Sequence, residues 1–227
     1  MFTAIRNLIA SNRPKPFLEG YTTDSNTASP ITVNLPKNRQ AGMLAILVLA
    51  SVGGTAAPTL PSGWTSISTT AGAAGTLSGA VFARILDGTE AATLSVTVTG
   101  TVATASVCMV FSGCAIKTLN ASNQPVATYT ASSTASTADP ASVTASKTGL
   151  FIAVSCHVSS TSVKTVTVWP TGYGNYSKIV AAANGTSFAC VALCFKQTNL
   201  ETDDASAFTI SAAAAMNAFT IAVRRSI

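Results

Sequence analysis

Residues 149–158 have the sequence GLFIAVSCHV, in which an apolar side chain occupies every second position. The first row of this alternation is Leu150, Ile152, Val154, Cys156 and Val158, and the second row is Phe151, Ala153, Ser155 and His157. Successive side chains of an extended chain point to opposite faces, so a period of two predicts a β-strand. We expect the first row to face a hydrophobic core and the second row to face solvent or a partner.

The same period of two recurs along the chain. Further alternating segments are Ile31–Leu35, Leu94–Val98 and Phe219–Val223. Residues 43–50 are continuously apolar, which is typical of a strand buried on both faces. Turn-forming pairs such as Asp87-Gly88 and Asn184-Gly185 separate these segments. The sequence therefore predicts an all-β protein, an antiparallel and jelly-roll-like β-sandwich of about eight or more strands.

Two segments depart from this period. Ala212–Ala218 is rich in alanine and lies between alternating segments, so we interpret it as a connection between strands. Residues 121–147 consist almost wholly of Ala, Ser, Thr, Pro and Val. This composition predicts a surface crossover, partly extended, over residues 118–146. The alternative interpretation of this segment is an exposed edge or loop that packs on neighbouring subunits.

The chain also repeats itself. Gly42–Ile46 matches Gly149–Ala153, which lies 107 residues later. The turn Pro61–Trp64 matches Pro170–Tyr173, which lies 109 residues later. This period is far longer than that of a solenoid, and it predicts two copies of a four-strand unit whose apolar faces cover one another. The predicted halves are residues 31–117 and 147–227, joined by the crossover 118–146.

Residues 1–30 are predicted to form an N-terminal arm, followed by one sandwich domain over residues 31–227. Phe2, Ile5 and Ile9 have helical spacing, but the segment is too short to be a stable helix alone. We therefore expect it to become ordered against something else. The arm has neither the pattern of a secretory signal nor the ~20 apolar residues of a membrane span, so we expect an unexported chain.

Charge and composition exclude several classes of function. Charged residues make up only 9% of the chain, while Ala, Thr and Ser together number 98 of 227 residues. Five of the 13 Lys and Arg residues fall in the first 39 positions, which favours an acidic docking partner for the arm. Nucleic-acid binding would need clustered basic residues with interleaved aromatics, and the sequence does not contain them.

The sequence offers little material for catalysis or metal binding, because it has one histidine and eight acidic residues. We expect His157 to be hydrogen-bonded or on the surface. The acidic cluster Glu201, Asp203 and Asp204 is interpreted as a solvated loop, with a calcium site as the alternative. We predict no catalytic, cofactor or metal site. The cysteines fit no zinc spacing and are predicted to be buried free thiols, with disulfides left open: Cys108, Cys114, Cys156, Cys190 and Cys194.

Aromatic residues at the two matching turns are predicted to close the ends of the sandwich. These residues are Trp64 and Tyr173. Alternatively, they form platforms for sugar stacking, which Tyr129, Trp169 and Tyr176 would join.

The order of these features resembles that of a known family. The first features in chain order are an alternating strand that ends at Pro36, an apolar strand that begins at Gly42 and the turn Pro61–Trp64. They are followed by a strand with an arginine before an acidic turn, Ala83–Glu90, and a threonine-rich strand, Leu94–Thr99. Over residues 31–225, this order resembles β-sandwich modules of tailed-bacteriophage virion structural proteins, namely head-surface (decoration), tail-tip and fibre proteins.

The resemblance implies a non-enzymatic virion structural protein, displayed on the head or tail surface and held by subunit–subunit contacts. Its partners would be other virion proteins and copies of itself in a homo-oligomer, and its location would be the virion, assembled in the host cytoplasm. The alternative is a lectin-like module of a tail fibre that binds a host receptor or surface glycan. Neither interpretation involves a cofactor, nucleic acid or a membrane span.

Overall fold

The computed structural model describes residues 15–53, 56–73, 76–99, 103–114 and 118–225. These ranges contain strands and no helix, so the predicted all-β class is confirmed. The first seven strands are β1 (Phe17–Asn26), β2 (Ile31–Asn34), β3 (Leu44–Val52), β4 (Thr65–Ala73), β5 (Leu77–Ile85), β6 (Thr93–Val96) and β7 (Thr104–Ser112). The later strands are β8 (Val126–Ala138), β9 (Val143–Thr144), β10 (Thr148–Ser159), β11 (Val166–Val168), β12 (Gly174–Asn184), β13 (Ser187–Gln197), β14 (Thr202–Asp203) and β15 (Phe208–Arg224).

Two large antiparallel sheets contain most of these strands. The spatial order in the first sheet is β1-β7-β3-β5-β4. In the second sheet it is β8-β15-β10-β13-β12, and β11 also pairs with the start of β15. Two further sheets have two strands each, β2-β6 and β9-β14. Each large sheet therefore takes its strands from one continuous part of the chain.

The two large sheets pack face to face around one hydrophobic core. Ile46 on β3 and Val81 on β5 contribute to this core from the first sheet, and Val154 on β10 and Val191 on β13 contribute from the second. None of these four side chains has exposed surface. At the two sides of the stack, β1 lies beside β12 and β4 lies beside β8. The arrangement is thus β-sandwich-like, with the main core between the sheets.

The outer face of the first sheet is covered as well. Ile31 and Val33 of the small sheet β2-β6 pack against Leu47 and Phe82. Residues 44–50 of β3 are consequently buried on both faces, as the continuous apolar run predicts.

Strand β10 is also buried on both faces. We expected its second row to face solvent or a partner, and the expectation of solvent is wrong because other parts of the chain cover that row. Phe151 packs in a small cluster with Val143 of β9 and Ala222 of β15. Ala153 belongs to another cluster, which contains Phe208. The segments that follow β8 and β13 supply part of this outer cover. Alternation along β10 therefore separates two buried faces.

Residues 212–218 are part of a strand, and the predicted connection there is wrong. They lie inside β15, which runs unbroken for 17 residues. β15 pairs with β10 on one side and with β8 on the other, and these two ladders override the helical preference of alanine. β8 itself lies in the predicted crossover 118–146, so that segment supplies an edge strand of the second sheet.

The part of the predicted arm that the structure describes enters the sandwich. β1 pairs with β7 along its whole length, so residues 17–26 belong to the first sheet rather than to a separate arm. Pro16 is buried against Gly149, where an added Cβ would stand 2.4 Å from the Pro16 Cδ. The Gln197 side-chain amide donates a 3.3 Å hydrogen bond to the Pro16 carbonyl oxygen. Residues 1–14 lie outside the described residues.

A hydrogen bond crosses the interior between the two sheets. Asn217 on β15 is fully buried, and its Nδ2 donates to the Thr70 hydroxyl on β4 at 2.7 Å. The same hydroxyl accepts a 2.9 Å hydrogen bond from the Gly79 backbone N–H. One hydroxyl oxygen therefore serves two buried donors from different sheets.

Replacing Thr70 with valine tests this cross-sheet contact. Thr70→Val keeps the shape of the side chain but removes the acceptor of both donors, and it should lower the free energy of unfolding by about 1–3 kcal/mol. Thr70→Ser keeps the hydroxyl and is the matched control. Urea denaturation of the three proteins measures the difference, and equal stability of the valine and serine variants would contradict the assignment.

Candidate functional site

All five cysteines are free and buried, as the sequence predicts. Burial raises the pKa of the Cys108, Cys114 and Cys194 thiols to about 12 and the pKa of Cys190 to about 11. Burial also raises the pKa of Cys156. Because the thiolate is the reactive form, these side chains are held in their unreactive state. They act as small apolar groups of the core.

His157 is a buried and hydrogen-bonded residue on β10. Its Nε2 lies 3.0 Å from the Lys164 carbonyl oxygen, and its Nδ1 lies 3.3 Å from the Ser155 hydroxyl. Nε2–H therefore donates to the carbonyl, while Nδ1 accepts from the serine. Burial lowers the pKa of His157, which keeps the ring neutral. These contacts fasten the loop before β11 to β10.

The acidic residues of the 201–204 loop point to different partners. Asp203 is buried, and its carboxylate accepts hydrogen bonds from the Lys196 ammonium and the Tyr173 hydroxyl. Glu201 accepts a 3.1 Å hydrogen bond from the Lys147 backbone N–H, and Asp204 is exposed. The prediction of a solvated loop is thus wrong for Asp203, whose charge is paired beneath the surface. Within the described residues, no group of three or more His, Cys, Asp or Glu side chains is arranged to hold a metal ion.

Tyr173 takes part in the same contact network. Its ring lies 5.6 Å from the Lys196 ammonium. Burial raises the pKa of Tyr173, and the hydrogen bond to the Asp203 carboxylate raises it further. The residue is therefore a neutral donor that links the turn before β12 to β13 and β14.

The described aromatic residues that were considered as a sugar platform do not all lie together. Trp64 is buried in the outer cluster of the first sheet. Trp169 packs edge-on against Phe208, whereas Tyr129 is half-exposed and lies against Phe219 on β15. The side chain of Tyr176 lies outside the described residues. Trp169 and Tyr173 pack against one cluster of the second sheet, whereas Trp64 and Tyr129 lie elsewhere, so the four described aromatics do not converge on one surface.

A pocket at one end of the sandwich was not predicted from the sequence. It has a volume of about 350 Å³ and lies where β1, β10, β12 and β13 meet. Its lining includes Phe17, Leu18, Leu150, Gly174 and Phe195. Sequence analysis missed this site because it combines strand ends from both halves of the chain. The sequence does contain one signal of the pocket, the pair Pro16-Phe17, in which a turn-favouring residue precedes a large apolar one.

The pocket suits the binding of an apolar group. Leu150 and Phe195 form its inner wall and are almost fully buried, while Phe17 at its rim is 59% exposed. The polar groups at the border are already engaged, since Lys196 pairs with Asp203 and Gln197 bonds to Pro16. An exposed aromatic beside an apolar cavity is a common feature of a docking surface.

The burial of the thiols can be tested by titration with a thiol reagent. At about pH 8, native protein should react negligibly on the timescale in which the denatured chain reacts completely, because the buried groups remain protonated. Denaturation should release five thiols per chain. Rapid labelling of one or more thiols in native protein would contradict the burial.

His157 predicts a specific loss of stability in acid. Its folded-state pKa lies below the unfolded value of 6.5, so the unfolded chain takes up the proton first. Its contribution to stability is therefore present above pH 6.5 and is lost as the pH falls towards the folded-state pKa. Unfolding free energy measured from about pH 7.5 to 5.5 should fall in the wild type and stay flatter in His157→Gln. Equal slopes would refute this role, since the chain has a single histidine.

Comparison with known proteins gives no match: no family model, curated protein or solved structure is significantly similar to this chain. Along the part of the chain that the structure describes, no helix has the length and apolar character needed to cross a membrane.

Proposed function

We propose that this chain is a non-enzymatic virion structural protein of a tailed bacteriophage, displayed on the head or tail surface and held by subunit–subunit contacts. The proposal of a non-enzymatic role is supported by one observation: the cysteine, histidine and buried aspartate side chains that could serve in catalysis are engaged in packing and internal contacts. The five thiols are buried, His157 is hydrogen-bonded in the interior, and Asp203 is paired with Lys196. The assignment to a bacteriophage virion is supported by the order of strands and turns in the sequence, which resembles that of virion β-sandwich modules.

The low charge of the chain also supports a role in contacts. Charged residues are 9% of the sequence, and Ala, Thr and Ser dominate it. Small uncharged side chains lose little conformational entropy on burial, and interface centres are depleted in charge. Edge strand β8 shows this composition over its 13 residues, which include no charged side chain.

A lectin-like module is the weaker candidate. Trp64 is packed inside the protein, and Tyr173 is held by Asp203. A sugar platform needs aromatic faces open to solvent, together with convergent polar groups. Among those aromatics whose side chains the structure describes, Tyr129 is the one with substantial exposure, and it already lies against Phe219.

For the architecture, we infer that the two halves are copies of one seven-strand unit. The spatial order β1-β7-β3-β5-β4 corresponds, strand by strand, to β8-β15-β10-β13-β12, and the small sheet β2-β6 corresponds to β9-β14. Gly63 and Gly172 have φ angles of 77° and 80° in turns of the same form. The copies would span residues 17–112 and 126–224, with β11 as an addition to the second.

This duplication requires a one-residue correction to the sequence offset. An offset of 107 aligns Leu44, which faces the main core, with Phe151, which faces away from it. An offset of 108 aligns Ile46 with Val154, and both face the main core. A slip of one residue exchanges the two faces of a strand, so an even offset supports the proposed duplication better. One sheet per copy also differs from a jelly roll, whose two Greek keys share strands between sheets.

Deleting residues 1–14 tests the proposed assembly role. The truncated chain keeps Pro16 and every strand that the structure describes, so it should remain folded, but it should be absent from purified particles. A full-length Thr3→Asp chain, changed off the apolar face of the segment, serves as the control and should be incorporated. Particle composition by mass spectrometry and folding by circular dichroism are the measurements. Normal incorporation of the folded, truncated chain would exclude anchoring by this segment.

A further inference from the structure

We propose that Asn184 is a site of spontaneous deamidation, the uncatalysed conversion of an asparagine side chain to a carboxylate. The residue lies at the end of β12, where it pairs with Ser187 of β13 and precedes the two-residue loop Gly185-Thr186. Asn184 and Gly185 form the single Asn-Gly pair of the sequence. The inference concerns the chemical stability of the chain, so it goes beyond the proposed function and does not depend on it.

The reaction uses only the chain itself and water. The Gly185 backbone nitrogen, once it has lost its proton, attacks the side-chain carbonyl carbon of Asn184 and forms a new C–N bond. The C–N bond of the side-chain amide breaks, and its nitrogen takes up a proton and leaves as ammonia. The product is a cyclic succinimide. Water then opens this ring at either carbonyl carbon and leaves an aspartate or an isoaspartate, in which the backbone runs through Cβ.

The backbone nitrogen of Gly185 is open to this reaction. Among the described residues its N–H has no hydrogen-bond partner, because Gly185 lies outside the ladder that joins Asn184 to Ser187. Gly185 is exposed, and a Cβ added to it would meet nothing within 4 Å apart from its chain neighbours. Its φ of 59° is one that glycine adopts without strain. The nucleophile is therefore neither bonded nor shielded by a side chain of its own.

The side chain that would be attacked is held weakly. Within the described residues, a single hydrogen bond fixes it: the Asn184 Nδ2 donates to the Thr27 carbonyl oxygen at 3.3 Å. This distance lies just beyond the usual range for an N–H to oxygen bond. Asn184 is also partly exposed. Release of one long contact thus frees the amide to turn towards Gly185, and water can reach the ring that forms.

The related turn Asp87-Gly88 is protected from the same chemistry. The Gly88 N–H donates to a Glu90 carboxylate oxygen at 3.0 Å, so this nucleophile is already engaged. The Asp87 carboxylate accepts hydrogen bonds from the Thr89 hydroxyl and N–H, which hold the pKa of Asp87 below its usual value. An ionised carboxylate is a poor target for a nucleophile. The fold therefore shields Asp87 and leaves Asn184 open.

Deamidation would remove a contact between the two halves of the chain. Thr27 follows β1 of the first sheet, whereas Asn184 ends β12 of the second. A carboxylate in place of the amide has no proton to donate, and its charge would face the Thr27 carbonyl oxygen. An isoaspartate would also lengthen the backbone beside a tight two-residue loop. We therefore expect the modified chain to be less stable than the original one.

Peptide mapping of the folded, full-length chain tests the proposal. The protein is kept at about pH 8.5 and, in parallel, at about pH 6, because only the deprotonated nitrogen attacks. Trypsin then releases residues 179–196, in which Asn184 is the only asparagine. This peptide should gain the mass difference between OH and NH2, faster at the higher pH, and should become a substrate for isoaspartyl methyltransferase. Asn199, which is exposed and precedes leucine, is the internal control and should stay unchanged.

Two variants separate the chemistry from its structural effect. Asn184→Gln keeps a side-chain amide but moves its carbonyl carbon one bond further from the Gly185 nitrogen, so residues 179–196 should remain unmodified. Incubation should shift the urea midpoint of the wild type towards that of Asn184→Asp, and it should leave the midpoint of Asn184→Gln unchanged. Circular dichroism before incubation establishes that each protein is folded.

A synthetic peptide of residues 179–190 gives the rate in the absence of the fold. The folded chain should deamidate within about 10-fold of this rate, which corresponds to a small difference in activation barrier. If Asn184 remained intact after the peptide had been converted, the proposal would be overturned. Equal conversion of Asn199, or equally fast isoaspartate formation at Asp87, would overturn it as well.

Discussion

The burial of two apolar sheet faces against each other is the interaction on which the rest of this structure depends. Each large sheet comes from one half of the chain, and alone it would expose Ile46, Val81 and their neighbours, or Val154, Val191 and theirs, to water. Removing this surface from water is the main source of stability available to a chain with so few charges. The end pocket follows from how these two faces meet, since strands of both sheets line it.

The periodicity of the sequence predicted the class of fold and many of its strands, because a period of two follows directly from the geometry of an extended chain. It could not predict how many layers cover a strand. After Phe151, the second row of β10 continues with the small or polar residues Ala153, Ser155 and His157, a pattern that fits both an exposed face and a thinly covered one. The alanines of β15 were misassigned for a related reason, since only pairing with β8 and β10 makes them a strand.

The candidate site was less predictable than the fold. The roles of the cysteines followed from composition, but Asp203 was misjudged because its partners, Lys196 and Tyr173, come from other turns and strands. The end pocket draws on Phe17, Leu150 and Phe195, which are separated by long stretches of chain. Local sequence patterns carry little information about contacts between residues that are distant in the chain. The pocket could not be predicted from them because its position depends on how the two halves pack.

The division of the two sheets between the two halves of the chain has a consequence during synthesis. The first sheet can complete its pairing once β7 has left the ribosome, but the strands that cover its inner face end only at Arg224. At about 5–20 residues per second, this face waits about 5–25 s for its cover. Throughout that interval a growing chain displays a broad apolar surface, so nascent chains on one messenger are exposed to premature association with each other or to capture by a chaperone.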